Sequence, residues 1–350
     1  MQTEQLASEL LRALRGKRSQ MAFSRRLGYS SNVCYSWEAG RAFPTATRFF
    51  RIIERTVGAP EAKLSSFYGR EKDWLRDADL TTPSGLVALL LDLRGRRRVA
   101  AIAERMGRGR FTVSRWFQGK AEPRLPELLQ LVEALTLRSL DFIACFADPM
   151  EIPSAAAAWR SLESARRVAY DAPWSHAVLR ALELESYRSL PQHIPGWIAA
   201  RVGITAEQEQ DGLLHLEQAG QISMKDGRWR VRPLASVDTG ARPDAARRLR
   251  EYWTGQAVER LNRGAPGIYS YNLVSVSLDD LARIAAIHRS YFREIREVVS
   301  KSAPEQCVAL ITMNLVELGG ILPTEAPDGL PDASPTRLSH QRRSRARGVP

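Results

Sequence analysis

A chain of 350 residues with 44% apolar side chains is long enough for two or three packed domains and too apolar to be disordered throughout. Its formal charge of +12 is unevenly placed: residues 1–150 hold 25 Lys+Arg against 16 Asp+Glu, residues 151–336 hold 21 against 23, and the last 14 hold five Arg and no acid. The three cysteines and five histidines have no ligand spacing, and neither a signal peptide nor an apolar run of about 18 residues occurs, so a metal site, a disulfide framework and a membrane span are not expected and a reducing cytoplasm is.

The first half is organised by an internal repeat at an offset of 79 residues. Leu10-Leu11 and Leu14-Arg15-Gly16 fall on Leu89-Leu90 and Leu93-Arg94-Gly95; Gly28, Trp37, Gly40 and Pro44 fall on Gly107, Trp116, Gly119 and Pro123. Each copy, within 1–70 and 80–148, reads as a small helical bundle. Leu6, Leu10, Leu11 and Leu14 mark one face of an opening helix that ends at Gly16. Ser19 can cap the next helix, with Phe23 and Leu27 inside, and Gly28 supplies a tight turn. Ser30 or Ser31 can cap a third helix running to about Glu38, with Cys34 and Trp37 inward; Asn32 is equally a good helix-start residue. Phe49, Ile52 and Ile53 close the core, and Ile102, Met106, Val113, Trp116 and Leu131 repeat the pattern.

The run Ser19-Gln20 … Leu27-Gly28-Tyr29-Ser30 … Trp37-Glu38-Ala39-Gly40 … Pro44 resembles the phage-repressor/Cro type of helix-turn-helix domain. The resemblance implies a third helix lying in the major groove of double-stranded DNA. Carried over by position, Ser30, Ser31, Asn32 and Tyr35 would face bases and Gln20 a phosphate. The second copy departs from the pattern: Arg98-Val99 stands for Ser-Gln, and Phe117 for the Glu before the helix stop. Its third helix would present Gly109, Arg110, Phe111, Thr112 and Ser114, with Arg94, Arg96, Arg97 and Arg98 nearby. Arg41, Arg108 and Arg115 complete the candidate DNA-binding set.

Residues 147–158 read as a linker entering a helix, with Ser154 as its candidate cap, and helical stretches follow at about 155–169 and 173–187. A winged-helix pattern comes next: a helix over Ile194–Val202, the Thr205/Gln208 capping box of a helix ending near Gly220, and a hairpin around Lys225-Asp226-Gly227. The would-be reading helix holds Glu207, Glu209, Asp211 and Glu217 and no Lys or Arg, which phosphates would repel. A structural role is expected for it, although Lys225, Arg228, Arg230 and Arg232 keep DNA contact open.

Pro243–Leu261 reads as a helix of mixed charge. Ile268–Val276 suits a strand, 278–300 an amphipathic helix started by Ser277, and Cys307, Ala309, Ile311, Met313 and Leu315 alternate as a second strand. That makes 241–320 a βαβ-like region for dimerisation or sensing. Trp197-Ile198-Ala199, Leu213–Gly220, Gly227-Arg228-Trp229 and the Tyr269–Ser277 strand give 155–318 a resemblance to bacterial regulators whose C-terminal region is known only as a domain of unknown function; it implies transcriptional regulation and carries over no site residues. The Pro/Ser/Arg-rich 321–350 reads as a disordered basic tail.

No phosphate loop, nucleophile elbow or metal spacing appears, so neither an enzyme nor a cofactor is expected. The expected protein is mainly α, with two tandem helix-turn-helix bundles, a winged-helix-like 155–235 and a small α+β end. It would be a sequence-specific, nucleoid-associated DNA-binding regulator, a repressor before an activator, acting as a homodimer and open to a protein, peptide or small-molecule effector. The alternatives are a protein-interaction adaptor and a nonspecific nucleoid-type DNA binder.

Overall fold

In the computed structural model the described residues are 2–68, 72–95, 97–232, 239 and 242–319. They are mainly helical, with one two-stranded antiparallel sheet. They divide into two compact units, one within Met1–Asp171 and Asp238–Glu251, the other within Ala172–Val237 and Tyr252–Ile321. The basic tail lies outside the described residues.

The first unit carries the repeat, element for element. Helices α1 (Thr3–Arg15), α2 (Gln20–Arg26), α3 (Val33–Glu38), α4 (Ala46–Thr56) and α5 (Pro60–Tyr68) are followed by the short α6 (Asp73–Asp77). The same five then recur as α7 (Pro83–Arg94), α8 (Val99–Met106), α9 (Arg110–Phe117), α10 (Leu125–Thr136) and α11 (Ser139–Ala144). The paired glycines explain why the helices stop in register. Gly28 and Gly107 have φ of 87° and 61°, Gly40 and Gly119 of 69° and 68°, values that an L side chain adopts only under strain. Trp37 and Trp116 are buried, as their spacing requires.

The copies are joined about a local two-fold axis. The amide of Ala46 donates to the carbonyl of Pro123, and its counterpart Leu125 donates to Pro44, both at 2.9 Å. Between them Thr45 pairs with Arg124, the residue 79 positions on. The hydroxyl of Ser66 lies 3.4 Å from the thiol of Cys145, again an equivalent pair. Inside, Phe49 and Phe50 of α4 pack with Phe142 and Phe146, centroids 5.3–6.5 Å apart, and one continuous core runs from Leu6 to Ala155. The two bundles expected to be separate are therefore one body. Each is too small to bury its own apolar surface fully, so the partner copy supplies the missing wall.

The expected linker is also part of this body. Pro149–Glu151 form a single 3-10 turn, Ile152 is fully buried, and helix α12 (Pro153–Asp171) follows at once. Ser154 does not cap through its hydroxyl; its amide donates to Glu9 at 2.8 Å. Arg166 of α12 is buried against Asp141 at 2.7 Å and Glu163 at 2.9 Å, which ties α12 to α11.

In the second unit, α13 (Ser175–Ala181), α14 (Glu185–Arg188), α15 (Trp197–Val202) and α16 (Ala206–Gln218) lead to the hairpin β1 (Ile222–Lys225) and β2 (Arg228–Val231). Asp226 and Gly227 both have positive φ, as a two-residue hairpin turn demands. Thr205 and Gln208 form the expected capping box on α16. Gly212 lets α16 approach α13 closely, since a Cβ there would lie 3.0 Å from Val178.

Helix α17 (Pro243–Asn262) follows the expected bounds, and α18 (Leu278–Lys301) is capped by Ser277, whose hydroxyl accepts from the amide of Asp280 at 3.1 Å. The two flanking strands of the expected βαβ region are not formed. Residues 268–277 and 305–317 contain no helix, turn or bend, yet they belong to no sheet among the described residues. Their alternation is that of strands, but a strand also needs a neighbour to bond, and neither segment supplies one for the other.

Candidate nucleic-acid interface

The equivalent helices α3 and α9 carry the candidate residues, and the chemistry of the two differs at matched positions. In α3 the helix cap is Asn32, not Ser30 or Ser31. Its Oδ1 accepts from the amide of Tyr35 at 3.3 Å and from the Ser24 hydroxyl at 3.4 Å, so this oxygen starts the helix. Ser30 and Ser31 are exposed before it. Tyr35 is 48% exposed, and the exposed Arg41 stacks its guanidinium 5.1 Å from that ring.

Behind α3 lies a small ionic knot. Glu38 accepts from Arg15 Nε at 2.5 Å and from Gln20 Nε2 at 2.9 Å, with Arg12 at 3.6 Å. Burial pushes the Glu38 carboxyl up, but these hydrogen bonds and guanidiniums outweigh it and hold the group below its ordinary value. Gln20 is thus half-buried and turned inward, where the residue at its position was expected to meet a phosphate.

The second copy solves the same packing without a carboxylate. Phe117 stands at the position of Glu38 and Arg94 at that of Arg15, and the ion pair becomes a guanidinium 5.3 Å from a buried ring. On the outside, Arg110 and Phe111 replace Ser31 and Asn32. Phe111 is 87% exposed, the least covered large apolar residue among the described residues of the first unit. Arg110, Thr112 and Arg115 are exposed around it; Arg115 reaches the carbonyl of Lys120 at 3.4 Å, and Arg108 lies 3.8 Å from Glu127. Arg97 and Arg98 are exposed at the start of α8, while Arg96 lies outside the described residues.

The hairpin and α16 present less charge than the sequence suggests. Arg228 directs its guanidinium to the carbonyl of Arg188. Glu209 is buried and accepts from the amides of Gly196 at 3.0 Å and Ala199 at 2.5 Å, so it caps α15 and leaves three carboxylates outward on α16. Among the described residues no His/Cys/Asp/Glu group is placed to hold a metal ion, and no helix is long and apolar enough to cross a membrane.

Residues 154–318 match the family model described as a domain of unknown function, DUF4423. The match begins in α12 and runs through the second unit to the last extended segment. No curated protein and no solved structure matches the chain.

Proposed function

We propose that the protein is a sequence-specific double-stranded DNA-binding transcriptional regulator whose two repeats act as helix-turn-helix units of the phage-repressor/Cro type. The observation that carries this is the local two-fold axis. It relates α3 to α9 as two half-site readers are related in a dimeric repressor, and it does so in the part of the chain with 25 Lys+Arg against 16 Asp+Glu, a net +9.

Ser30, Ser31 and Tyr35 would read one half-site, with Arg41 beside them. Arg110, Phe111, Thr112 and Arg115 would read the other, Phe111 by apolar contact with a thymine methyl. Arg97, Arg98 and Arg108 would hold phosphates, whose contacts position a protein without specifying sequence. Asn32 and Gln20 support the reading helix from behind. Occupancy of a promoter would repress, and the nearly neutral second half would receive a protein, peptide or small-molecule signal.

Selection from a random duplex pool, followed by footprinting, tests this directly. The expected result is that each copy of the chain prefers one site made of two unlike half-sites in inverted orientation. Salt-sensitive binding with no preferred sequence would point instead to a nucleoid-type binder. Absence of binding at low salt would favour a protein-interaction adaptor, for which the bare Phe111 would be the anchor.

A further inference from the structure

The second unit leaves bare a surface for which DNA binding has no use. Among the described residues, 17 of the 27 exposed large apolar side chains fall between Ile268 and Leu318. Ile268 is 100% exposed, Tyr271 92% and Leu273 78%. Neither 268–276 nor 306–316 contains a charged residue, and no residue of either makes a backbone–backbone hydrogen bond to another described residue. An uncharged apolar strand with unpaired amides and carbonyls is a template for strand pairing, and folded proteins keep such edges covered.

The chain does not close this surface on itself. The second segment folds back along α18, where the carbonyl of Met313 lies 3.2 Å from His288 Nε2. The first segment would have to do the same to become its neighbour. However, Ser277 already caps α18, which leaves one residue for the reversal where such connections ordinarily take roughly two to six. The first segment is therefore an arm, and the second, backed by α18, is an open edge.

We infer that the arm 268–276 of one copy pairs as a β-strand along 306–316 of a second copy, and reciprocally, forming a homodimer by strand exchange about a two-fold axis. The two segments match in length and in absence of charge, and each lacks what the other supplies. The apolar residues of the arm, from Ile268 to Val276, expose the equivalent of about four whole residues. At roughly 150–200 Å² each that is about 600–800 Å² per copy when fully covered, against the roughly 800 Å² that one partner usually contributes to a stable interface. With 21 Lys+Arg against 23 Asp+Glu in residues 151–336, two copies meet little net repulsion. A lipid surface would cover the side chains but leave the backbone groups unpaired.

The test uses the purified full-length protein without DNA, so it stands or falls separately from the DNA-binding proposal. Light scattering at about 1 and 50 µM should give a dimer, and hydrogen exchange should find the amides of 268–276 and 307–316 protected. Leu273→Lys lies on the exposed arm and should leave the circular dichroism of the helices unchanged. It should weaken the dimer at least about tenfold and expose those amides to rapid exchange. A monomeric wild-type chain overturns the inference, whether its arm is protected by an internal sheet or exchanges freely. So does a dimer that Leu273→Lys leaves intact.

Discussion

The two repeats are the same fold built on different chemistry, and the difference lies in what is fixed and what is open to change. The positions that set helix ends and the common core, the glycines at 28 and 107, 40 and 119, and the tryptophans at 37 and 116, are shared. The pair behind the third helix is not: a carboxylate–guanidinium knot in one copy becomes a ring and guanidinium in the other. Outside, a capping Asn32 faces an exposed Phe111 at the matched position. Backbone geometry tolerates few residue types, a pocket tolerates any pair that fills it and satisfies its polar atoms, and a solvent face tolerates nearly anything. Divergence has followed that order.

The largest effect is expected where the copies are least separable. Phe142→Ala removes a ring that meets both Phe50 of the first copy and Phe146 of the second. It should cost about 3–5 kcal/mol and lower a single unfolding transition for both repeats. Two transitions, only one of them shifted, in calorimetry would show that the copies are independent after all.

Glu38→Gln should cost about 1–3 kcal/mol at neutral pH, because Arg15 and Gln20 lose a charged acceptor. The folded-state value of Glu38 is depressed, so its contribution is complete above the ordinary carboxylate range and is lost as pH falls through the lower folded value. Urea unfolding of wild type and variant should therefore differ at about pH 7, and the difference should shrink as pH falls below the ordinary carboxylate range. A gap of constant size across that range would mean that packing, not charge, is what Glu38 supplies.

A matched pair of substitutions sharpens the comparison of the reading helices. Asn32→Ala should lower stability by about 1 kcal/mol through loss of the cap, whereas Phe111→Ala should stay within about 0.5 kcal/mol. If the proposed function holds, the order reverses on the preferred duplex: Phe111→Ala weakens binding there and leaves random-sequence affinity nearly unchanged. Equal losses on both duplexes would remove Phe111 as a reader.

The smallest effect belongs to the phosphate contacts. Replacing Arg97 and Arg98 together should change stability little, since both are exposed, and should flatten the salt dependence of DNA binding by roughly one unit per lost contact. An unaltered slope in fluorescence titrations would show that neither residue contacts a phosphate.

The repeat and several helix starts were legible because their signals are local. Glycine, proline and tryptophan at a constant offset announce a repeat, and Ser19, Thr205 and Ser277 announce helix starts that the structure bears out. What the sequence did not disclose is relational. The shared core depends on Phe49, Phe50, Phe142 and Phe146 meeting across two copies, and periodicity within one copy says nothing of that. Residues 147–158 have the look of a linker, yet Ile152 is buried because α12 continues the same body. Asn32 is suited both to a cap and to a base edge, and the bond from the Tyr35 amide to its Oδ1 shows the first use. Alternation in 268–276 and 307–315 declares an extended conformation but not the identity of the neighbour.

Covalent fusion of the two repeats has a consequence for symmetry. Were each repeat a separate chain pairing with an identical one, every substitution would appear twice, both halves would change together and the pair would look the same from either end. Here Ser31 and Arg110, or Asn32 and Phe111, occupy equivalent places and are altered one at a time. The axis through Thr45 and Arg124 keeps the shape of a symmetric pair while the two surfaces it relates no longer match. Any polymer that lies across both faces of one copy is held there with a polarity, and turning that copy end for end gives a different complex rather than the same one.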